Sequence, residues 1–362
     1  MGSSERATVL VVDDERGPRD ALRLILDPTH RVLTAHDGAQ ALDVLAAGGV
    51  DVVTLDLHMP RLPGEALLRT VRTHHRDVEV IVVTGRPDWR SAAEGVRAGI
   101  ADYLSKPFDV VQVRAAVERA LTRRAEQRRL QGFLDAAQSA GHEDPTAAPI
   151  LESLRRGLVR APVTTGPLPF LELLADTIES QDASMRGHAR RVASYAARLA
   201  DRLNLGSEER ERVRIAAFLH DVGKIGVPSE LLLRPGVLTQ EERSEVARHA
   251  AIGARLIEPL ELGSFVVRAV RHHHEWWDGA GYPDGLVGDE IPLAARVVQT
   301  ADAFDAMTCN RVYRRAMSGA AARAEMLRSA GSQFDAALVQ AFLAVLEESG
   351  DEFETGVQPP GN

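Results

Sequence analysis

The stretch Thr8-Val9-Leu10-Val11-Val12-Asp13-Asp14 decides the fold of the N-terminal part of the chain. An unbroken run of apolar and β-branched residues reads as a strand buried on both faces, the kind found in parallel sheets covered by helices. It stops at two carboxylates, and the arrangement recurs. Val50 to Leu55 ends at Asp56, Glu79 to Val83 ends at Thr84-Gly85, and Asp102-Tyr103-Leu104-Ser105 ends at Lys106-Pro107. Asp20 to Leu26 carries a helical apolar spacing between the first two. Strands alternating with helices predict an open, doubly wound parallel α/β sheet, whose ligands lie beyond the carboxyl ends of its strands. There the sheet would gather Asp13, Asp14, Asp56, Thr84 and Lys106. Three carboxylates suit a hard Mg2+ ion, and a lysine with a hydroxyl suits phosphoryl oxygens.

At 362 residues the chain exceeds one ordinary domain, so two are expected. Its 44% hydrophobic and 26% charged residues are those of a soluble globular protein. No run approaches the ~18–20 apolar residues that span a bilayer, and Met1 to Arg6 lacks the apolar core of a signal peptide. A single cysteine, Cys309, excludes an internal disulfide framework and fits a reducing compartment. A net charge of -9 argues against broad nucleic-acid binding. Lys106 and Lys224 are the only lysines in a chain that otherwise takes arginine for positive charge. Each is therefore a candidate for a site that needs a compact ammonium.

Arg114 to Leu134 has few turn formers, which predicts that the last helix of the first domain runs on beyond it. Such a helix would serve as a lever for transmitting the state of that domain. Arg123, Arg124, Arg128 and Arg129 are expected on its solvated face. Gly141 to Pro145 breaks the helix, Ile150 to Val159 carries a short helical pattern, and the Pro-containing Ala161 to Pro169 reads as a linker. Further on, Phe170–Glu179, Ala189–Leu203, Glu208–Leu219, Thr239–Leu256 and Phe265–His273 each place apolar residues at three-and-four spacing. They predict an all-α domain with a core of Ala, Leu and Val. Histidines and aspartates recur along these helices, at His188, His220-Asp221, His249, His272-His273-His274 and Asp302. A buried aspartate needs a charged partner, which a metal supplies, and neutral imidazole is a common metal ligand. The glycines after the three histidines offer a floor that a ligand can approach closely.

The first set of strand ends, in Val12-Asp13-Asp14, Leu55-Asp56-Leu57-His58-Met59-Pro60, Val83-Thr84-Gly85 and Ser105-Lys106-Pro107-Phe108, resembles the response-regulator receiver domain. The resemblance implies a five-stranded domain over residues 1–124, with Asp56 accepting a phosphoryl group from a histidine kinase. Asp13, Asp14, Asp56 and the His58 carbonyl would hold Mg2+, and Thr84 and Lys106 would contact the phosphoryl oxygens. Tyr103 would reorient as Thr84 moves; a plain packing role for it stays open.

The second domain, over residues 168–350, is similar to the HD-GYP family of the HD superfamily of metal-dependent phosphohydrolases. The matching segments are Arg186-Gly187-His188-Ala189-Arg190-Arg191-Val192, Leu219-His220-Asp221-Val222-Gly223-Lys224, His249-Ala250-Ala251-Ile252-Gly253, His273-His274-Glu275, Asp278-Gly279-Ala280-Gly281-Tyr282-Pro283-Asp284-Gly285 and Ala301-Asp302-Ala303-Phe304-Asp305. Residues 125–167 would be a helical connector and linker, and 351–362 a disordered tail. The resemblance implies hydrolysis of cyclic di-GMP at two divalent transition-metal ions. His188, His220, Asp221 and Asp302 would bind one ion, and Asp221 would bridge to a second held by His249, His273 and His274. Asp221 and Lys224 would carry catalysis, Lys224 by contacting the phosphate. Gly281, Tyr282 and Pro283 would form the substrate floor, Arg311 and Arg314 would hold non-bridging oxygens, and Asp305 would orient a ligand. His272 is not expected to ligate. Ser184 stands where some members carry a glutamate for a third ion, so two are expected. Nitrogen and oxygen ligation admits Fe, Mn, Zn, Ni or Co, with Fe or Mn favoured.

The expected protein is thus a phosphorylation-controlled cyclic di-GMP phosphodiesterase of the bacterial cytoplasm. A homodimer is expected. Its candidate partners are a histidine kinase and diguanylate cyclases or other signalling proteins, with neither membrane nor DNA among them. Two alternatives stay open: a cyclic-dinucleotide sensor or scaffold with little turnover, and a phosphohydrolase of another nucleotide class. Trp276, where the family is usually basic, bears on substrate fit in either case.

Overall fold

The computed structural model describes residues 6–60, 62–85, 99–141, 152, 168–179, 185–234, 236–310 and 315–348. The chain divides between Arg129 and Leu130 into two compact units.

The first unit is a five-stranded parallel sheet of β1 (Thr8–Val12), β2 (Arg31–Ala35), β3 (Val52–Leu55), β4 (Glu79–Thr84) and β5 (Asp102–Ser105), in the order β2-β1-β3-β4-β5. Alternate residues of each central strand feed opposite cores. Leu10, Val12, Val53, Leu55, Val80 and Val82 pack with Ala41 and Leu45 of α2 (Gly38–Ala46) and Leu67 and Val71 of α3 (Gly64–His74). Val9, Val11, Val52, Ile81 and Val83 pack with Leu22 and Leu26 of α1 (Arg16–Leu26) and with Val113, Ala116, Val117 and Ala120 of α4 (Val110–Ala140). Burial on both faces is why these strands read as continuous apolar runs. The strand missing from the sequence reading is β2, which lies at the sheet edge and is mostly half-buried, so no such run forms. Register carries the site: Val12 pairs with Leu55, so Asp13 and Asp56 follow side by side. Thr84 pairs with Ser105, so Lys106 comes next.

Arg124 corrects the expectation of a solvated arginine face. It is only 6% exposed. Its Nε donates to the Asp77 carbonyl at 2.5 Å, Nη1 pairs with Asp51, and Nη2 lies 3.2 Å from Asp77 Oδ2. Asp51 in turn accepts from the Thr8 backbone N–H at 2.7 Å. The guanidinium therefore ties α4 to the loops that lead into β1, β3 and β4. Arg128 and Arg123 stay more exposed and touch Asp77 and Glu79 only at 3.5 and 3.7 Å. Arg124→Met leaves the Asp51 and Asp77 carboxylates without this partner and is expected to lower the opening free energy of the unit by about 2–3 kcal/mol. Hydrogen exchange of the Val9–Val12 amides reads that change within this unit.

The second unit begins with the end of α4, where Phe133, Leu134 and Ala137 enter its core. It continues with α5 (Leu168–Glu179), α6 (His188–Arg202), α7 (Ser207–Leu219), a 3-10 turn (Val222–Gly226), α8 (Ser229–Leu232), α9 (Gln240–Ala247), α10 (His249–Ile257), α11 (Ser264–His272), α12 (Leu293–Thr308), α13 (Gly319–Arg328) and α14 (Ala336–Glu348). Among the described residues it has no strand, as the sequence predicts. Ala193, Ala196, Ala200, Ala216 and Ala217 are fully buried or nearly so, with Leu and Val filling the rest of the core. Tyr195, Phe304 and Phe342 add an edge-to-face aromatic trio, with ring centroids 5.4 to 5.9 Å apart. The helix expected over Thr239–Leu256 is two helices. Thr239 does form a capping box with Glu242, but Arg248 turns the chain through a bond to the Glu245 carbonyl, three residues back. His249 therefore opens α10 instead of lying inside a longer helix.

Among the described residues no helix is long and apolar enough to cross a membrane. All but residue 152 of the short helix expected near 150–159, most of the 161–169 linker, the 351–362 tail, and Arg311 and Arg314 lie outside the described residues.

Candidate metal centre

Five segments of the second unit each deliver one part of a histidine–aspartate cluster. His188 is the first residue of α6, His220-Asp221 caps α7, His249 opens α10, His273-His274 follows α11, and Asp302 lies within α12. Gly223 makes the arrangement possible. A Cβ there would lie 1.9 Å from the His249 carbonyl oxygen and 2.4 Å from the Gly253 nitrogen, so only glycine lets the 3-10 turn abut α10.

The side chains form two groups of candidate ligands, His188 with His220 and Asp302, and His249 with His273 and His274. Nε2 of His188 and Nε2 of His220 are 3.3 Å apart, and so are Nε2 of His249 and Nε2 of His273. Asp221 stands between the groups. Its Oδ2 lies 3.4 Å from His220 Nε2 and 3.7 Å from His188 Nε2, while its Oδ1 lies 3.6 Å from His249 Nε2. The four imidazoles of these close pairs are sealed from solvent, whereas Asp221 and Asp302 keep 16% and 17% of their side chains exposed. The centre is therefore open on its carboxylate side.

Most of the ring orientations are fixed from behind. Nδ1 of His220, His249 and His273 each meets a backbone carbonyl three residues earlier, of Ala217, Val246 and Val270, at 2.7 to 2.8 Å. His188 Nδ1 meets Asp305 Oδ2 at 2.7 Å. A donor Nδ1–H leaves the Nε2 lone pair turned inward, the tautomer that binds metal. Lone pairs ~3.3 Å apart repel unless a cation lies between them, and nitrogens sharing one ion at ~2.0–2.2 Å have about this separation. Charge follows the same logic. Burial pulls the His273 pKa well below its ordinary value and that of His274 down to about 3, so both stay neutral bases. Burial lowers His220, but the adjacent Asp221 and Asp302 carboxylates outweigh it and push its pKa up to about 9, so this imidazole binds a metal only by giving up a proton. Burial raises Asp221, yet Lys224 and His220 hold it well below the usual carboxylate range. The donor set fits two divalent cations.

On the open side, Lys224 Nζ lies 2.5 Å from Asp221 Oδ2. The Tyr282 ring packs on His274, with centroids 4.9 Å apart. Burial, with the Asp221 and Asp302 charges, raises the pKa of its hydroxyl, which stays protonated. Gly281 lets the loop close, since a Cβ there would lie 2.2 Å from the Trp276 nitrogen. His272 turns away from the cluster and bonds the Arg268 carbonyl and Asp284 Oδ2.

Residues that the sequence reading did not single out support this set. Glu179 accepts from the backbone N–H groups of Gly187 at 2.6 Å and Ala189 at 2.5 Å, clamping the start of α6 around His188. Arg191 grips the far side of Asp305, with Nε 2.6 Å from Oδ1 and Nη2 3.1 Å from Oδ2. Both look like ordinary helix-surface charges in one dimension. Arg191→Ala releases Asp305 from that grip and is expected to weaken metal affinity about 10- to 100-fold. Titration against a chelator measures it, and Arg191→Lys, which lacks the planar fork, restores the affinity only in part.

In the first unit, Asp13, Asp14 and Asp56 present carboxylate oxygens within 4.8 Å of one another. Lys106 Nζ bonds Asp13 Oδ2 at 2.7 Å and Asp56 Oδ2 at 2.5 Å. Burial disfavours its charge, but these two bonds outweigh that and raise its pKa. Burial raises Asp13 despite Lys106. His58 donates its backbone N–H to Asp56 Oδ1, and its ring lies 3.1 Å from Thr84 Oγ1. Gly64 permits the tight loop, since a Cβ there would lie 2.2 Å from the Asp56 carbonyl oxygen. Tyr103 is half-buried and packs against the core on the α2–α3 side of the sheet.

The response regulator receiver domain family matches residues 9–118, and the HD domain family matches residues 172–338. The chain is 34% identical over 366 residues to the cyclic di-GMP phosphodiesterase response regulator RpfG of Xanthomonas campestris pv. campestris, with 98% of this chain and 92% of that protein covered. It is 31% identical to a probable cyclic di-GMP phosphodiesterase of Vibrio cholerae, covering 95% of this chain and 78% of the other. It is 30% identical to a cyclic di-GMP phosphodiesterase of Thermotoga maritima, covering 96% and 92%.

Proposed function

The chain belongs to the response regulators that join a receiver domain to an HD domain, and from that premise we propose that it hydrolyses cyclic di-GMP at a two-metal centre under control of Asp56 phosphorylation. The observation that carries this reading is Asp221, whose two oxygens face different histidine groups. In the proposed assignment His188, His220 and Asp302 hold one divalent ion, His249, His273 and His274 hold the other, and Asp221 serves both. Divalent ions held by these residues would activate water near neutral pH and offset charge on the attacking and leaving oxygens of an in-line displacement. Fe or Mn is favoured.

The chain's own groups do the rest. Lys224 sits at the open edge of Asp221, where its ammonium would hold a phosphate oxygen as charge builds. Protonated Tyr282, with Gly281 and Pro283, would form the floor against a base or sugar. Arg311 and Arg314 are proposed to hold non-bridging oxygens. Asp305 keeps the His188 ring turned, so that its Nε2 faces the centre. In the receiver, Asp56 would take a phosphoryl group from a histidine kinase, with Mg2+ held by Asp13, Asp14 and Asp56. Lys106 and Thr84 would then meet the phosphoryl oxygens, and Tyr103 would follow Thr84. The proposed organisation is a receiver over 1–124, a connector over 125–167, the HD-GYP domain over 168–350 and a tail. The lone Cys309 supports a cytoplasmic setting, and homodimers and diguanylate-cyclase partners complete the reading.

The test is to load the full chain with Fe or Mn and assay cyclic di-GMP with and without a small phosphoryl donor. Linear product, at a rate that shifts with donor in the parent but not in Asp56→Ala, is the expected result. Tight nucleotide binding without product favours the sensor reading, and a rate indifferent to donor removes the switch.

A further inference from the structure

We infer that Glu275 is a positioning residue that sets the pose of the glycine-rich loop over the metal centre, and through it the Tyr282 ring. This deepens the proposed function and rests on it for the meaning of the loop. Glu275 directly follows His274 and is fully buried. Its Oε1 accepts from the Asp284 backbone N–H at 2.7 Å and its Oε2 from the Leu286 N–H at 3.2 Å. The carboxylate thus bridges from the end of the histidine segment across the whole loop to its far side. The main chain of Glu275 is held as well. Its N–H donates to the His272 carbonyl at 3.0 Å, and its carbonyl accepts from Gln299 Nε2, on the helix that carries Asp302 and Asp305.

Tyr282 lies inside the span that this carboxylate closes. Its N–H donates to the His274 carbonyl at 3.1 Å. A Cβ on Gly281 would lie 2.5 Å from the Glu275 Cα, so loop and anchor are in contact. Outside the loop, Arg271 clamps Asp284 through two bonds of 2.8 and 2.7 Å, and His272 adds a third at 2.9 Å. Hydrogen bonds hold the Glu275 carboxylate on backbone amides, with no ion pair to it among the described residues. The two oxygens of this one buried side chain fix two specific N–H groups at once. Glutamine has the same shape and a single acceptor oxygen, so Glu275→Gln leaves one N–H facing an amide N–H2.

The experiment compares the metal-loaded full chain with Glu275→Gln by hydrogen exchange, metal analysis and kinetics. Faster exchange confined to residues 276–287, unchanged metal content, and a KM for cyclic di-GMP raised about tenfold with a smaller change in kcat are expected. In a Tyr282→Ala background the same substitution should add little, because the two residues act as one unit. Unchanged exchange overturns the inference. So does loosening that spreads into α6 and α11 with loss of metal, which is the mark of a merely structural role. If the parent itself fails to hydrolyse cyclic di-GMP, the functional reading fails, while the exchange pattern still decides the role of Glu275.

Discussion

Asp221→Ala is expected to lose metal and turnover together. Every other proposed ligand belongs to one group, whereas Asp221 faces both, at 3.4 and 3.7 Å on one oxygen and 3.6 Å on the other. Its removal takes the anionic member from between two sets of imidazoles, and His249, His273 and His274 keep no carboxylate of their own among the described residues. Neutral nitrogens alone bind a divalent ion less tightly than nitrogens with a carboxylate, and a lone ion cannot clamp both oxygens of the displacement. A kcat loss of about 10^3-fold or more follows, since several kcal/mol of charge stabilisation disappear. Metal analysis should fall in parallel, while far-ultraviolet circular dichroism holds, because Asp221 lies outside the apolar core. Full activity with full metal content in Asp221→Ala would remove the bridging assignment.

Lys224→Ala is expected to separate the two properties that Asp221→Ala loses together. The ammonium touches Asp221 and is 26% exposed, so it lies at the mouth of the centre. Ligand positions do not depend on it, and metal content should remain that of the parent. The rate should nevertheless fall about 10^2- to 10^3-fold, the usual loss when one preorganised donor to developing charge is removed. Most of the loss should fall on kcat if the contact strengthens in the transition state. Lys224→Arg should recover little, because a planar guanidinium does not occupy the position of a compact ammonium. A Lys224→Ala variant that loses its metals would instead make the lysine a structural counter-ion of Asp221.

Both lysines pair with carboxylates at the two candidate sites, which makes lysine scarcity the most informative compositional fact in the chain. Lys106 bridges Asp13 and Asp56, and Lys224 pairs with Asp221. The strand ends were legible because a doubly wound sheet, once inferred from apolar runs, must bring residues after β1, β3, β4 and β5 to one edge. The edge strand β2 was not, since half-burial leaves a mixed pattern. The candidate metal ligands were legible as recurrent His and Asp positions. Spacing along helices does not show that Asp221 divides its oxygens between two groups. Arg124, Glu179, Arg191 and Glu275 were the least legible. Each is a charged residue in or beside a helix, where the default is a solvated face. Tertiary contacts alone show that Arg124 is buried, that Glu179 caps a helix from the preceding one, and that Glu275 holds a loop.

The most direct test is anomalous diffraction from crystals of the metal-loaded chain, recorded at the absorption edge of the bound metal. Two peaks ~3.5–4 Å apart are expected, with His188, His220 and Asp302 around one, His249, His273 and His274 around the other, and one Asp221 oxygen toward each. A single peak, or two peaks with Asp221 turned to Lys224 alone, would contradict that arrangement.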